Sequence, residues 1–303
     1  MDKISQPIPK NANEFIEQQL DERATAVGEA FSSDLLCLSG PLAFGVDDLT
    51  RTTVEDIRRN SNRRSLVVLI TTEGGYAEVV QRIVETLRHH YKRVSFVVPN
   101  SAFSAGTILV MSGDAIFMDY YSRLGPIDPQ VETAKGVSIP ALGYLVQWER
   151  LVKKATEGKL TMAEIQLMVH GFDQAELYKY EQARKLSITL LRRWLVRYKF
   201  RNWKRTKDRR LTVTLKMKRK RAEDIAEILN NTDKWHTHGH GISMEVLRRD
   251  LNLRIDDFGE DPSLNDPIKN YDALLSDYMV KVGCRGAIHT VGRFLPYLLA
   301  ARR

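Results

Sequence analysis

Cysteines are scarce in this sequence, and long apolar runs are missing. The 303 residues include two cysteines, Cys37 and Cys284, which excludes a disulfide framework or a cysteine-rich metal site as a source of stability. No stretch approaches the ~18 consecutive apolar residues of a membrane-spanning helix. The first residues, MDKISQPIPKNANEF, lack the apolar region of a signal peptide. We therefore expect a soluble, cytoplasmic protein that needs no metal and no other cofactor.

Acidic residues are almost absent from one basic segment, residues 192–221. This segment holds 15 Lys or Arg and one acid, Asp208, whereas the whole chain has a net charge of +8. Aromatic residues are interleaved with its cations, a composition that suits contact with nucleic acid or an anionic membrane. Because the segment resembles no nucleic-acid-binding module, we favour a charged loop that meets acidic surfaces of sister subunits.

Buried strands alternate with amphipathic helices in the first half of the chain. The runs SLVVLITT (65–72) and VSFVVP (94–99) contain no alternating polar residues, which is typical of parallel strands covered on both faces. Between them, the apolar residues of 76–89 recur at helical spacing. With 43% hydrophobic residues the chain can bury a sizeable core. These features predict an α/β fold with a mostly parallel sheet.

Helices dominate the predicted second half. We expect helices over 222–230 and, singly or as a pair, over 265–302. The predicted organisation is an N-terminal helical arm, a catalytic core, and a basic loop with a helical C-terminal extension, all in one continuous domain. The boundaries of these three parts are 1–33, 34–200 and 201–303.

Two short motifs, each following a buried strand, are candidates for parts of a catalytic site. Gly74 and Gly75 separate a strand from a helix, and glycines there let the backbone turn sharply and approach a ligand. Ser104, in FSAGT, lies between the next strand and an apolar helix, where it is either a simple N-cap or a nucleophile. Because the carboxyl ends of neighbouring parallel strands share one edge of a sheet, the two motifs should converge.

The residues around these motifs resemble a known family. TTEGGYAEVVQRIVETL, VPNSAFSAGTILVMSGDAIFMD and LGPIDPQ are similar to the Clp-protease superfamily, and within it to the serine dehydrogenase proteinases. The resemblance implies a ClpP/crotonase-like spiral of ββα units, peptide-bond hydrolysis and a homo-oligomer. It places the nucleophile on Ser104 and the oxyanion hole on Gly74, Gly75 and Ala105. The family's Thr-Pro-Gly-Gly turn departs here to Thr-Glu-Gly-Gly, with Glu73 in place of proline.

The general base is less clear from the sequence. In the Clp proteolytic subunit a histidine follows the serine, but the corresponding stretch here, SRLGPIDPQ, holds none. The serine dehydrogenase proteinases imply the order Ser–Asp–His, which maps to Ser104, Asp128 in LGPIDPQ and His238 in THGHGI. His236 and His240 are neighbours that could replace His238. In such a triad the aspartate orients the imidazole, which takes the serine proton.

A lysine base is the alternative. Signal peptide peptidase A, a relative of the same superfamily, implies a Ser–Lys dyad, for which Lys153, Lys154 and Lys185 are candidates. A lysine serves as a base only when desolvation lowers its pKa, and most lysines on helices are solvated. We favour the triad and keep the dyad open.

The function expected from these features is that of a serine endopeptidase acting on peptides or unfolded proteins. The alternatives are a crotonase-like acyl-CoA enzyme, which would need no serine at this position, and a non-catalytic scaffold that binds nucleic acid or a protein partner. We also expect a closed homo-oligomer, because the predicted helix from Asp173 onward presents a large apolar face. That face comprises Leu177, Tyr180, Ile188, Leu191 and Trp194.

Overall fold

The computed structural model describes residues 9–127, 130–132, 138–206, 210–235 and 239–299. The helices are α1 (Ala12–Ala30), α2 (Val46–Asn60), α3 (Ala77–His90), α4 (Ala105–Met111), α5 (Ala141–Thr156), α6 (Met162–Gly171), α7 (Gln174–Trp194), α8 (Leu215–Leu229), α9 (Thr232–Trp235), α10 (Met244–Arg249) and α11 (Pro262–Val282). The strands are β1 (Asp34–Ser39), β2 (Ser65–Thr71), β3 (Arg93–Val97), β4 (Ser101–Ala102), β5 (Ala115–Met118), β6 (Arg123–Leu124), β7 (Gln130–Glu132), β8 (Ser138–Pro140), β9 (Ile242–Ser243), β10 (Asp256–Asp257), β11 (Cys284–Thr290) and β12 (Arg293–Leu299).

A seven-stranded sheet organises the fold, in the order β10-β5-β3-β2-β1-β11-β12. The strands from β10 to β1 pair in parallel, and β11 and β12 add an antiparallel hairpin beside β1. The predicted α/β architecture with a mostly parallel sheet is therefore confirmed.

Both faces of this sheet are covered, which explains the unbroken apolar runs. In β1, Leu36 and Leu38 belong to the large core on one side, together with residues of α2, α3 and α4. Leu35 and Cys37 point the opposite way, into a second core formed with α1 and α11. Alternate residues thus enter different cores, so neither face of the strand is available for polar side chains. Burial also raises the pKa of the Cys37 thiol, so this cysteine is an inert core residue.

Two predictions for the second half need correction. The expected terminal helices over 265–302 are wrong beyond Val282, because the chain turns there at Gly283 and forms the β11–β12 hairpin. The helix expected over 222–230 begins earlier, at Leu215, where Thr214 accepts a capping hydrogen bond from the Met217 N–H. Most of its first two turns are basic, and that charge hid the helix in the sequence.

A small separate core holds α7 against α5. It contains Leu145, Leu177 and Tyr180, with Trp148 and Phe172 packed around them. The second half of α7 instead joins the large core, where a π-helical turn over Leu195–Lys199 extends it. In the described part of the chain, no helix has the length and apolar composition needed to cross a membrane.

Candidate active site

Ser104 occupies a strained turn between β4 and α4. Its φ of 51° and ψ of −118° lie in a region that costs a non-glycine residue about 1–3 kcal/mol. Ser104 is at the N-cap position, yet its side chain accepts no capping hydrogen bond from the first turn of α4, all of which is described. The hydroxyl is therefore not used as the simple cap that the sequence left open. Strain of this kind is characteristic of functional positions.

The glycine pair packs directly against this turn. Gly74 has a φ of +109°, and a Cβ added to it would lie 2.9 Å from both the Phe103 carbonyl oxygen and the Ser104 Cβ. The Gly74 N–H donates to Thr72 Oγ1 at 3.0 Å, which fixes the turn that proline stabilises in the family motif. Glu73 is exposed at the tip of the turn. Only glycine fits this approach, so the two motifs converge as predicted.

Gly75 and Ala105 offer backbone N–H groups at this junction. Gly75 pairs with Leu42 in an isolated parallel bridge that uses the Gly74 carbonyl and the Tyr76 N–H. The Gly75 N–H takes no part in that bridge. Neither it nor the Ala105 N–H donates to any residue in the described ranges. Two N–H groups with no acceptor among the described residues, beside a serine, are suited to stabilise an oxyanion.

A cavity of about 730 Å³ opens onto these residues, and Ser104, Gly75 and Ala105 line it. The opposite wall belongs to α7, which contributes Ala183, Leu186 and Ser187 together with the longer side chains of Tyr178, Lys179 and Gln182. Phe44 and Tyr76 form a stacked aromatic pair at its rim, with ring centroids 4.3 Å apart. The cavity residues that the sequence analysis missed are Phe44, Tyr76, Ala77, Glu78, Tyr178, Lys179, Gln182, Ala183, Leu186 and Ser187. Those of α7 lie more than 70 residues along the chain from Ser104, so no local motif could have identified them.

A three-stranded sheet joins the segments that flank the predicted triad. Its order is β4-β6-β9, with β6 parallel to β4 and antiparallel to β9. Ala102, Leu124 and Ile242 occupy one rung. Beyond this rung, β4 runs on towards Ser104 and β6 runs on towards Asp128. The chain that comes from the direction of His238 enters β9 at the same end of the sheet.

The segment that precedes Asp128 is anchored to the helix that follows Ser104. Thr107 Oγ1, on α4, accepts from the Gly125 N–H at 3.0 Å and lies 2.9 Å from the Gly125 carbonyl oxygen. The Ile127 N–H donates to the Leu229 carbonyl at 3.0 Å, and Ile127 is buried. The chain is therefore held in place up to the residue before Asp128.

The histidine candidates are only partly described. Asp128, His236 and His238 lie outside the described residues. His240 is exposed, and its ring centroid lies 5.4 Å from that of Trp235.

The three lysine candidates are all solvated. Lys185 is 59% exposed at its side chain and pairs with Glu181 at 3.1 Å, and Lys154 is 52% exposed and pairs with Glu164 at 2.5 Å. Lys153 is also exposed. None of the three lines the cavity at Ser104. These surroundings do not supply the desolvation that a lysine base needs.

Comparisons with known proteins agree with the resemblance. Residues 44–184 match the family model described as ClpP-like SDH-type serine proteinase. Two uncharacterised proteins of Methanocaldococcus jannaschii are similar to the chain, one 27% identical over 136 residues and the other 32% identical over 95 residues. These matches cover 43% and 29% of this chain, and the chain spans 44% and 33% of the two relatives.

A solved structure also aligns with most of the chain. It is a mutant of a membrane-bound stomatin-specific protease in complex with a substrate peptide, with a TM-score of 0.43 and 15% identity. The alignment covers 87% of this chain and 85% of that one. The matched family range, 44–184, includes Gly74, Gly75 and Ser104. The family-model match confirms the resemblance and the expected ClpP-like α/β fold over residues 44–184.

Proposed function

We propose that this protein hydrolyses peptide bonds, with Ser104 as the nucleophile and the N–H groups of Gly75 and Ala105 as the oxyanion hole. The observation that carries the proposal is the strained Ser104 turn, held against the glycine pair and facing a cavity. Ser104 Oγ would attack the peptide carbonyl, and the two N–H groups would stabilise the oxyanion that forms. The amine would leave with a proton from the general base, and water would then hydrolyse the acyl-enzyme.

For the base we propose His238, oriented by Asp128. The β4-β6-β9 sheet supports this choice, because Leu124 and Ile242 share a rung with Ala102. Asp128 is four residues beyond Leu124, and His238 is four residues before Ile242. A chain of four residues reaches at most about 13–14 Å, so the chain length allows both residues to approach the end of the sheet at which Ser104 lies. The solvated lysines lack comparable support.

The proposed substrate is an extended segment of a peptide or unfolded protein, cut internally. The cavity wall supports this, because Ala183 and Leu186 on α7 and the Phe44–Tyr76 pair offer apolar surface beside the serine. Side chains next to the cleaved bond could be buried there, which stabilises binding in proportion to the apolar area removed from water.

We further propose that the active protein is a homo-oligomer. Apolar residues at the surface of α6 support this: Met162, Leu167 and Val169 are 74%, 53% and 67% exposed. An apolar helix with no buried residue is normally covered by a partner.

A fluorophosphonate probe and a peptidase assay test the proposed mechanism together. The Ser104→Ala variant should not be labelled by the probe, and its kcat should fall at least about 1,000-fold. Ser187→Ala is the matched control, because Ser187 is an equally buried serine in the same cavity, and it should keep both. His238→Ala should also be inactive, whereas Lys185→Ala should stay active. Full cleavage by Ser104→Ala would refute the nucleophile, and full cleavage by His238→Ala would refute the base.

A further inference from the structure

A second cavity, of about 510 Å³, lies at the opposite ends of the parallel strands from Ser104. Arg64 directly precedes β2 and Lys92 directly precedes β3, so the cavity sits at their amino ends. Its wall holds five arginines, one lysine, two histidines and two tyrosines, and no carboxylate among the described residues. We call this cavity the basic cleft.

The basic segment of the sequence supplies one side of the basic cleft. The π-helical turn Leu195–Lys199 presents Arg197 and Tyr198 there, and Arg201 follows on the next turn. Backbone contacts hold the other side together, because the N–H of Lys92 donates to the Arg64 carbonyl at 3.0 Å. Arg201 Nη1 reaches the Lys92 carbonyl at 3.5 Å. The cations therefore come from three separate elements that are tied to one another.

Some of these cations are already neutralised. Arg88 and Arg201 both pair with Asp114, at 2.7 and 2.6 Å, and Arg58 lies 3.8 Å from Asp34. Stacking also fixes Arg88, whose guanidinium carbon lies 3.9 Å from the Tyr198 ring centroid. These three arginines share two carboxylates, so they add about one net positive charge to the wall.

Three other cations have no such compensation. Arg64, Lys92 and Arg197 are exposed at the basic cleft, and none of them has a carboxylate partner within the described ranges. Like charges gathered in a concave wall repel one another and raise the local concentration of anions. Guanidinium groups match the oxygens of phosphate geometrically and bind them in a bidentate manner.

We propose that the basic cleft binds a small anion that carries two or more phosphate groups, such as a polyphosphate or a nucleoside polyphosphate. A volume of about 510 Å³ falls within the usual range of small-molecule sites. Three uncompensated cations on different elements call for several negative charges at fixed spacing, which a single phosphate lacks.

Two other basic residues of the same segment lie outside the cleft and are paired with acids. Arg192 pairs with Glu223 at 3.1 Å, and Lys220 pairs with Asp224 at 3.0 Å. Their charge is compensated at the protein surface. These two residues therefore do not extend the uncompensated charge of the cleft, and its volume of about 510 Å³ favours a compact ligand.

Calorimetry with sodium tripolyphosphate, on the full chain at constant ionic strength, tests the proposal. We expect saturable binding of one tripolyphosphate per chain. The double variant Arg64→Ala, Arg197→Ala should weaken it at least about 100-fold, since each charge-assisted contact is worth about tenfold or more. Arg219→Ala removes an exposed arginine of the same segment outside the cleft, and it should bind as the parent does. Ser104→Ala should also bind normally, because its site is elsewhere.

Each contrary result overturns the proposal. Absence of saturable tripolyphosphate binding would do so, and so would an equal loss in Arg219→Ala, which would indicate unspecific attraction. Binding only to single-stranded oligonucleotides, with an affinity that grows with their length, would indicate a nucleic-acid surface instead. Binding only to vesicles of phosphatidylserine and phosphatidylcholine would indicate a membrane surface. Thermal unfolding of the double variant confirms that it is folded before any loss is counted.

Discussion

Gly74 leaves no room for a side chain beside Ser104. An added Cβ would meet the Phe103 carbonyl oxygen and the Ser104 Cβ at 2.9 Å, in a backbone conformation with φ +109°. Gly74→Ala should therefore push the Ser104 turn away and lower kcat by about 100-fold, since small displacements of reacting groups have such effects. It should also lower the free energy of unfolding by about 1–3 kcal/mol.

Gly143→Ala is the control for this change. Nothing lies within 4 Å of a Cβ there, and alanine within a helix is favoured over glycine by about 0.5–1 kcal/mol. Peptidase assays and thermal melts of both variants give the comparison. A fully active Gly74→Ala protein would show that the glycine pair does not form part of the site.

Lys199 should make stability depend on pH in the alkaline range. Burial is the main cause that lowers its pKa, to about 8, and its Nζ donates to the Arg254 carbonyl at 2.6 Å. In the unfolded chain a lysine has a pKa near about 10.4, so between these values the unfolded state binds more protons. The free energy of unfolding should then rise with pH from about 8 to about 10.4.

Lys199→Met should flatten this rise relative to the parent protein. The difference in free energy of unfolding between the parent and Lys199→Met should change by about 1–3 kcal/mol from about pH 8 to about pH 10.4. Lys216→Met, at an exposed position of α8, should leave the rise intact. If the free energies of unfolding of the parent and Lys199→Met changed with pH in the same way, the lowered pKa of Lys199 would be contradicted.

Thr107 links two elements of the site, α4 and the chain that follows β6. Its Oγ1 accepts from the Gly125 N–H at 3.0 Å and lies 2.8 Å from the Ala102 carbonyl oxygen. Thr107→Val keeps the shape but leaves buried backbone groups unpaired, which should cost about 1–3 kcal/mol of stability for each. Because the segment before Asp128 loses its anchor, kcat should also fall.

Thr50→Val is the matched control. Thr50 is equally buried, but within the described ranges its Oγ1 donates just one hydrogen bond, to the Val46 carbonyl of the same helix α2. The Thr50→Val change should lower the free energy of unfolding less than Thr107→Val does, and it should leave kcat unchanged. Denaturant titration and peptidase assays separate the two effects, and an equal kcat for both variants would argue against the anchoring role of Thr107.

The sequence predicted those elements whose pattern is local. The capping box Thr161–Glu164 and the N-cap Ser243 are patterns of this kind, because each depends on residues three apart in the sequence. The β11–β12 hairpin was missed because Gly286 and Pro296 interrupt its apolar alternation. Its two-residue loop, Val291–Gly292, with Gly292 at φ +79°, was the signal that could have found it.

In the candidate site, too, the parts with a local pattern could be predicted from the sequence. Ser104 and the glycine pair are adjacent to strand ends, so the parallel sheet alone brings them together. The wall formed by α7 depends on tertiary packing over a long separation, which periodicity does not encode.

The apolar face of α7 is buried within the chain, whereas we expected it to form an interface between subunits. Leu177, Tyr180, Leu191 and Trp194 are buried, at most 9% exposed, and Ile188 packs against the large core. These residues therefore stabilise the single chain and give no reason for an interface. Exposed apolar side chains lie on α6 instead, which has no buried residue.

This surface makes the oligomer prediction specific. If α6 packs against another copy of the chain, Leu167→Glu combined with Val169→Glu should dissociate the assembly, because charges are costly to bury without partners. The exposed tyrosine Tyr178 lies on α7, among the cavity residues, and Tyr178→Glu is the control that should leave the assembly intact. Light scattering at micromolar concentration measures the mass of each protein. The parent should exceed the 34.7 kDa of one chain severalfold, whereas the α6 variant should fall towards it. An active parent protein with the mass of one chain would refute the oligomer, and an α6 variant that keeps the parent's mass would place the interface elsewhere.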